Sequence, residues 1–397
     1  MTDPSPAGQH TLRRHNSALV LRTVLDSPGI SRAAIAAHTG LAKATVSSLV
    51  DRLIAADLVA ETGLVVRAGR GRRSTGLALS ATGPHGLGVE IGVDYLATCL
   101  VDLTGHAHDH RVRAGDNRTR PAARVLAAAV RAINSALRDA TVPIGGIGIA
   151  VPGLVEANTG LLRVAPNLGW RDLDIVAAVR ARLDRPELPV LVGNEADLAA
   201  AAELGNVPRD FILVSGEIGI GAGLVVDGRP FRGVRGFGGE IGHLTVDPAG
   251  PECACGSRGC LEVLAGLDPI MRTAGVWADP GDRSPSENLA ALIERLTVGD
   301  PVALGAVRDA GRWLGIALAA VVNVVDLPCV VLGGSYAELA PWLRESIGAE
   351  LARRVVSAGW SPVEIISSTL GSAAAVRGAG AAPVQAIIAD PDAYLAS

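Results

Sequence analysis

The sequence predicts an α/β protein in two parts: a small winged helix-turn-helix head, then a larger body of alternating strands and helices. Three observations carry this. Residues 16–58 show helical periodicity in three short blocks, followed by two extended stretches around a Gly/Arg-rich tip. From residue 85 onward, apolar runs of strand length alternate with helix-length stretches, and several strand ends carry glycine pairs. The charge is also divided. Residues 1–80 hold 10 Lys+Arg against 5 Asp+Glu, a net of +5, while the remainder holds 26 against 35, a net of −9. A basic head on an acidic body points to a polyanionic partner for the head.

The head is justified element by element. Residues 1–14 read as a flexible arm, and the head proper as 15–80. Leu19, Val20, Val24 and Leu25 give a first helix that ends at Ser27-Pro28-Gly29. Ser31 is a good N-cap for a second helix, Arg32 to His38, closed by Thr39-Gly40. In the third, Ala42 to Ala56, residues Val46, Leu49, Val50, Leu53 and Ile54 share one face. Ala42 sits where a Ser or Thr cap is expected, a loss of about 1 kcal/mol that packing must offset. The third helix presents Lys43, Ala44, Thr45, Ser47 and Ser48 outward at its N-terminal end, where a recognition helix meets base edges and phosphates of double-stranded DNA. Strands over 58–66 and 75–79 flank a wing tip whose Arg70, Arg72 and Arg73 suit a minor groove or the backbone. Residues 80–84 read as a linker.

In the body, strands are expected at 86–93, 96–103, 109–115, 144–151, 189–194, 210–215, 222–227, 329–333 and 363–368. Helices are expected at 120–139, 172–183, 195–204, 262–275, 302–325, 336–353 and 371–389. No short tandem repeat is present. No run of 18 apolar residues exists, so neither a transmembrane helix nor a membrane partner is expected. Met1–His15 has no apolar segment, which argues against a secretory signal and for the cytoplasm.

Of the five cysteines, three (Cys253, Cys255, Cys260) fall within eight positions, ten residues after His243. One imidazole and three thiolates make a closed tetrahedral set for Zn2+, with no position left for catalysis, so the ion is structural. A redox pair or plain buried cysteines are the alternative. Cys99 and Cys329 sit in apolar strands and read as core.

These residues together resemble the ROK (repressor, ORF, kinase) family. The resemblance runs from about Arg13 to the C-terminus. It is most specific over 238–262, with further matches at Gly146–Gly153 and Ala165–Trp170. It implies a two-lobed actin-like, sugar-kinase-like (ribonuclease H-like) body over 85–397. One lobe spans about 85–194 plus the C-terminal helix, and the other about 195–372. It also implies a sugar in the cleft between the lobes, held by Asn167, Asn194, Glu195, Glu240, His243 and Glu262, because amides and carboxylates pair well with hydroxyls.

The phosphate-handling features of ROK kinases are departed from. The first turn reads Gly88-Val89-Glu90-Ile91-Gly92-Val93-Asp94-Tyr95, without the second glycine, hydroxyl and lysine of the family pattern. Glu217 stands where a second phosphate turn has Thr, an anion set against a polyphosphate. Glu195 replaces the catalytic Asp, so its oxygens are displaced from the position of a general base. Gly333-Gly334, near the expected adenosine site, remains. The expected function is a sugar-responsive regulator without catalytic residues. Its expected partners are a two-fold DNA operator, a small sugar effector and a second copy of itself, as homodimer or tetramer. The rival readings are an ATP-dependent sugar kinase with a DNA-binding extension, and a zinc-containing scaffold without sequence preference.

Overall fold

The computed structural model describes residues 9–65, 74–216, 219–277 and 285–396. Helices α1 (Gln9–Asp26), α2 (Arg32–Thr39) and α3 (Lys43–Ala55) are followed by the antiparallel strands β1 (Val59–Val65) and β2 (Ser74–Leu79). Ser31 caps α2 by accepting from the Ala34 N–H at 3.3 Å, and Gly40 ends it in the left-handed region at φ 73°. Ala42 leaves α3 without a side-chain cap, as its identity requires. The arm expected over 1–14 is corrected from Gln9 on. That segment extends α1, and the Arg14 guanidinium donates to the Asp390 carboxylate. It lacks apolar periodicity because it is held by charge from the far end of the chain.

The body opens with β3 (His85–Ile91), β4 (Tyr95–Val101), β5 (Ala107–Ala114), α4 (Ala122–Asp139) and β6 (Ile144–Val151). It continues through β7 (Leu154–Val155), β8 (Leu162–Ala165), β9 (Trp170–Leu173), α5 (Ile175–Arg180), β10 (Val190–Asn194) and α6 (Glu195–Glu203). Then come β11 (Phe211–Gly216), β12 (Ile220–Val226), β13 (Arg229–Pro230), α7 (Leu261–Ala265), α8 (Leu267–Thr273), α9 (Pro285–Thr297) and α10 (Pro301–Val325). The chain closes with β14 (Cys329–Gly334), α11 (Ser335–Arg354), β15 (Glu364–Ser367), α12 (Ala374–Ala389) and α13 (Pro391–Tyr394).

Two five-stranded sheets share one plan. The first has the order β10-β6-β3-β4-β5 and the second β15-β14-β11-β12-β13. In each, the first three strands run parallel and the last two pairings are antiparallel. The body is therefore a structural duplication that has no counterpart as a tandem sequence repeat. Between the sheets lies a layer of small side chains, with Ala150, Leu198, Ala199, Ala200, Ala374, Ala375 and Ala379 packed around Phe211 and Leu213. Helix α12 lies on the first sheet and α6 on the second, and the two helices pack on each other. Their approach is close enough that a Cβ on Gly378 would sit 1.8 Å from the Leu198 carbonyl oxygen. Cys99 and Cys329 are buried, as expected for core thiols.

Two helices differ from expectation. Residues 262–275 form α7 and α8, broken at Gly266, because a continuous helix would drive the Pro269 ring into the carbonyl of Ala265. Residues 172–183 begin as the end of β9, and only after Asp174, which caps by accepting from Ala177 N–H at 2.8 Å, do they become helical. Helix α9, α13 and the small β7-β8-β9 sheet were not anticipated.

The expected linker is not a free tether. Ser80 donates to Asp57 at 2.6 Å, and Gly83 packs so closely that a Cβ there would lie 2.1 Å from the Asp57 carbonyl oxygen. The apolar core of the head (Val20, Leu21, Ile35, Leu49, Leu53, Leu77) continues into Leu103, Val384, Ile387 and Ile388 of the body. Asp392 accepts from Ser17 at 3.1 Å and from Arg52 at 2.9 Å. Asp392→Ala is expected to loosen this docking by about 1–3 kcal/mol. Faster amide exchange in α3 and α13, with the body sheets unchanged, is the observable.

Candidate functional site

A cleft opens between the lobes where the two sheets end. Asn167, Asn194, Glu195, Glu240, His243 and Glu262 all line it, although they come from four separate stretches of chain. Asn194 is positioned by being a cap. Its Oδ1 accepts from the N–H groups of Ala196 (2.8 Å) and Asp197 (3.1 Å), and its Nδ2 donates to the Gly153 carbonyl at 3.0 Å. The amide oxygen and one of the two N–H donors of that side chain are thus committed to structure, leaving one N–H for a ligand. Glu195 is the first residue of α6 and faces Gly221 of β12 across the cleft, with its Oε1 3.8 Å from where a Cβ there would be. Gly219 lies beside two of these side chains: a Cβ at that position would meet Glu262 Oε2 at 2.3 Å and Asn167 Nδ2 at 3.7 Å. The absence of a side chain there is what lets a residue of one lobe approach a residue of the other. Burial raises the Glu240 carboxyl above the usual range, His243 opposes this, and Glu262 adds to it.

A cluster of potential metal ligands borders the same cleft. One donor atom from each of His243, Cys253, Cys255 and Cys260 falls within a 4.8 Å span. His243 Nδ1 lies 3.7 Å from Cys253 Sγ, and Cys255 Sγ lies 3.7 Å from Cys260 Sγ. An ion with Zn–S bonds of about 2.3 Å in a tetrahedron requires ligand separations of about 3.8 Å, so the donor set fits Zn2+. The loop reaches this shape through Gly256 (φ 94°) and Gly259 (φ 62°), the latter with Asp247 O only 1.5 Å from a would-be Cβ. Burial, then the neighbouring thiols, push the Cys260 thiol up to about 12; a divalent cation reverses that preference by stabilising the thiolate. His243 Nδ1 is turned to Cys253 Sγ, and the same side chain lines the cleft.

Aromatic rings pack against the glycines at two strand ends. A Cβ on Gly92 would lie 2.4 Å from the Tyr95 ring, and the Tyr95 hydroxyl donates to the buried Glu90. Asn117 holds this turn by donating to the carbonyls of Gly92 (2.8 Å) and Tyr95 (3.1 Å). In the second sheet the Tyr336 ring covers Gly216 in the same way, at 2.4 Å from the Cβ position, and its hydroxyl donates to Ala265 O at 2.8 Å. Asp94 lines the cleft, whereas Glu217 lies outside the described residues. The role of Tyr336 was not anticipated, although it stands two residues beyond Gly333-Gly334.

Lys43, Ala44, Thr45 and Ser48 are exposed on the first turns of α3 and Ser47 is half-buried, the placement a recognition helix needs. Arg70, Arg72 and Arg73 lie outside the described residues. Just inside α6, Asp197 is buried, 3.4 Å from Arg232 Nε. Burial lifts its carboxyl from 3.8 to about 6, against the pull of Arg232. A raised pKa in the folded state gives stability that is complete below about pH 4 and is lost as pH rises through about 6. Asp197→Asn is therefore expected to stabilise the protein by up to about 2–3 kcal/mol at pH 7.5 and to change nothing at pH 4, as melting temperatures at the two pH values will show.

Comparison with known proteins agrees with this architecture. The ROK family profile matches residues 86–385, and that of the MarR family matches residues 12–74. A xylose repressor from Bacillus subtilis is 32% identical over 377 residues, covering 94% of this chain and 95% of the repressor. A ROK family transcriptional regulator, described as a homolog of the E. coli MLC protein, superposes with a TM-score of 0.78 at 26% identity, over 95% of this chain and 97% of that one. A ROK glucokinase from Streptomyces griseus, solved with glucose and AMPPNP, reaches a TM-score of 0.63 at 27% identity, over 75% of this chain and 98% of the kinase. The kinase covers three quarters of this chain, while the repressor and the regulator each cover nearly all of it. With a MarR-like head joined to a sugar-kinase-like body over nearly its whole length, this chain belongs to the ROK family.

Proposed function

We propose that this protein is a sugar-responsive, DNA-binding transcriptional repressor of carbohydrate genes that has no kinase activity. The observation that carries the reading is helix α12. Near its start, Gly378 packs on Leu198 of α6 at the junction of the lobes, and near its end Ile387 and Ile388 are part of the head's core. Those contacts are ten residues, or about 15 Å, apart on one continuous helix, with Pro383 between them. A ligand that favours one spacing of the lobes therefore favours one placement of the head.

In this reading Asn167, Glu195, Glu240, His243 and Glu262 grip the sugar hydroxyls, and Asn194 fixes the start of α6. Structural zinc at His243, Cys253, Cys255 and Cys260 holds the imidazole in place. Lys43, Thr45, Ser47 and Ser48 meet the operator as a homodimer sets two heads on a two-fold site. The names of the relatives favour an aldopentose, xylose first, as effector. Tyr95 and Glu90 occupy the turn that a nucleotide phosphate would need.

The test measures operator binding by anisotropy, on DNA from upstream of the chain's own gene, with and without a panel of pentoses and hexoses. Sequence-specific binding weakened by one of these sugars is the expected result. Equal affinity for unrelated DNA at every salt concentration would remove the regulator reading. Sugar-dependent ADP release that disappears in Glu195→Ala would establish the kinase instead.

A further inference from the structure

The junction of head and body holds a second cluster of ligating side chains. His85 opens β3, Asp102 follows β4, and His108 is the second residue of β5. One donor atom from each falls within a 4.8 Å span. We propose that these three residues form a second metal site, distinct from the thiolate cluster, for a divalent transition ion such as nickel or zinc.

The donor chemistry is two imidazoles and one carboxylate, a set suited to borderline first-row ions and not to calcium or magnesium. The geometry is already close to that of a loaded site. Asp102 Oδ2 and His108 Nε2 are 2.9 Å apart, and a tetrahedral ion with bonds of about 2.1 Å would open them to about 3.4 Å. The rings of His85 and His108 have centroids 5.5 Å apart, inclined at 50°. Two imidazoles bound through nitrogen to one tetrahedral ion place their centroids about 5 Å apart.

The surroundings orient the donors as well. His85 Nδ1 lies 2.8 Å from the Gly83 carbonyl oxygen. A carbonyl only accepts, so Nδ1 carries the proton and Nε2 keeps its lone pair for an ion. The other oxygen of Asp102 accepts from Thr104 N–H (2.8 Å), Thr104 Oγ (2.6 Å) and His106 N–H (3.0 Å), which fixes the plane of the carboxylate. His85 and Asp102 are buried and His108 is exposed, so an ion reaches the site from solvent and keeps water on its open side. His108 meets it as the Nδ1–H tautomer, and its present bond to Asp102 gives way to the ion. The site lies beneath the head: Leu103, next to Asp102, is part of the head's core, and Gly83, which orients His85, packs on Asp57.

The test titrates Ni2+ into the zinc-loaded, full-length, untagged protein by calorimetry and follows the melting temperature in parallel. One saturable equivalent beyond the thiolate-bound zinc is expected, together with a nickel-dependent rise in melting temperature. Since His108 is exposed, His108→Ala leaves the fold intact; it is expected to weaken that equivalent by about tenfold or more and to abolish the melting shift. Asp102→Asn is expected to act alike, and Cys255→Ala to leave the equivalent in place. No saturable uptake by the wild-type protein, or uptake unchanged in His108→Ala, would overturn the proposal.

Discussion

Cys255→Ala is expected to release the cluster zinc at chelator concentrations that the wild type withstands, and to lower sugar affinity by at least tenfold. Cys255 is exposed, so this substitution removes a ligand and almost no core packing. Structural zinc sites contribute roughly 10–16 kcal/mol of apparent binding free energy, so one ligand in four is worth about 3 kcal/mol, or roughly 100-fold in metal affinity. The effect reaches the cleft through His243: Nδ1 faces Cys253, and the same side chain lines the cleft proposed to hold the sugar. The head docks on α12 and α13, away from the cluster, so operator affinity without sugar should stay near wild type while relief by sugar is lost. Thiolate-to-cobalt absorption of the cobalt-loaded protein reports the cluster, and anisotropy with operator DNA reports the head. Full sugar response in a zinc-depleted variant would show that His243 needs no metal to act.

Gly378→Ala is expected to destabilise the protein although it places a better helix former in a helix. On helix propensity alone, alanine would gain about 1 kcal/mol over glycine. The new Cβ, however, would lie 1.8 Å from Leu198 O, 2.4 Å from Leu198 C and 3.1 Å from its Cα. These are backbone atoms of α6, which cannot rotate away as a flexible side chain can. Overpacking of this kind costs about 1–3 kcal/mol or more, so the clash outweighs the propensity. Relief requires α6 and α12 to separate, which is a change in how the lobes meet. A lower melting temperature and a shifted sugar response are expected together, read by thermal unfolding and by operator binding at saturating sugar. Wild-type values of both would mean that α12 does not carry the coupling.

Much of the fold was legible because its signals are local. Ser31 and Gly40 bound α2, the apolar face of α3 places Lys43 and Thr45 outward, and β6 is found where its run of Gly, Ile, Ala and Val lies, over 144–151. The metal cluster was legible for the same reason, since three of its ligands lie within eight residues. Two of the departures from expectation show different causes. The arm at 9–14 shows no amphipathic pattern because its partner, Asp390, is almost a whole chain length away. The break at Gly266 was overlooked because the apolar periodicity of 262–275 concealed the constraint that Pro269 imposes.

Charge division, helical spacing and the His/Cys cluster thus indicated from the sequence alone that a basic helix-turn-helix head precedes a ROK-like body with a His/Cys loop whose donor set fits zinc. These depend on neighbours in the chain or on composition, which folding does not alter. Only the tertiary structure decided that head and body share one core, that both glycine turns are covered by tyrosines, and that His85, Asp102 and His108 converge. Each of those depends on contacts between segments distant in sequence, set by how two duplicated sheets pack through α6 and α12. A linear pattern carries no record of which surfaces will meet, and the closeness of that meeting, down to the missing Cβ of Gly378, is fixed by packing in three dimensions.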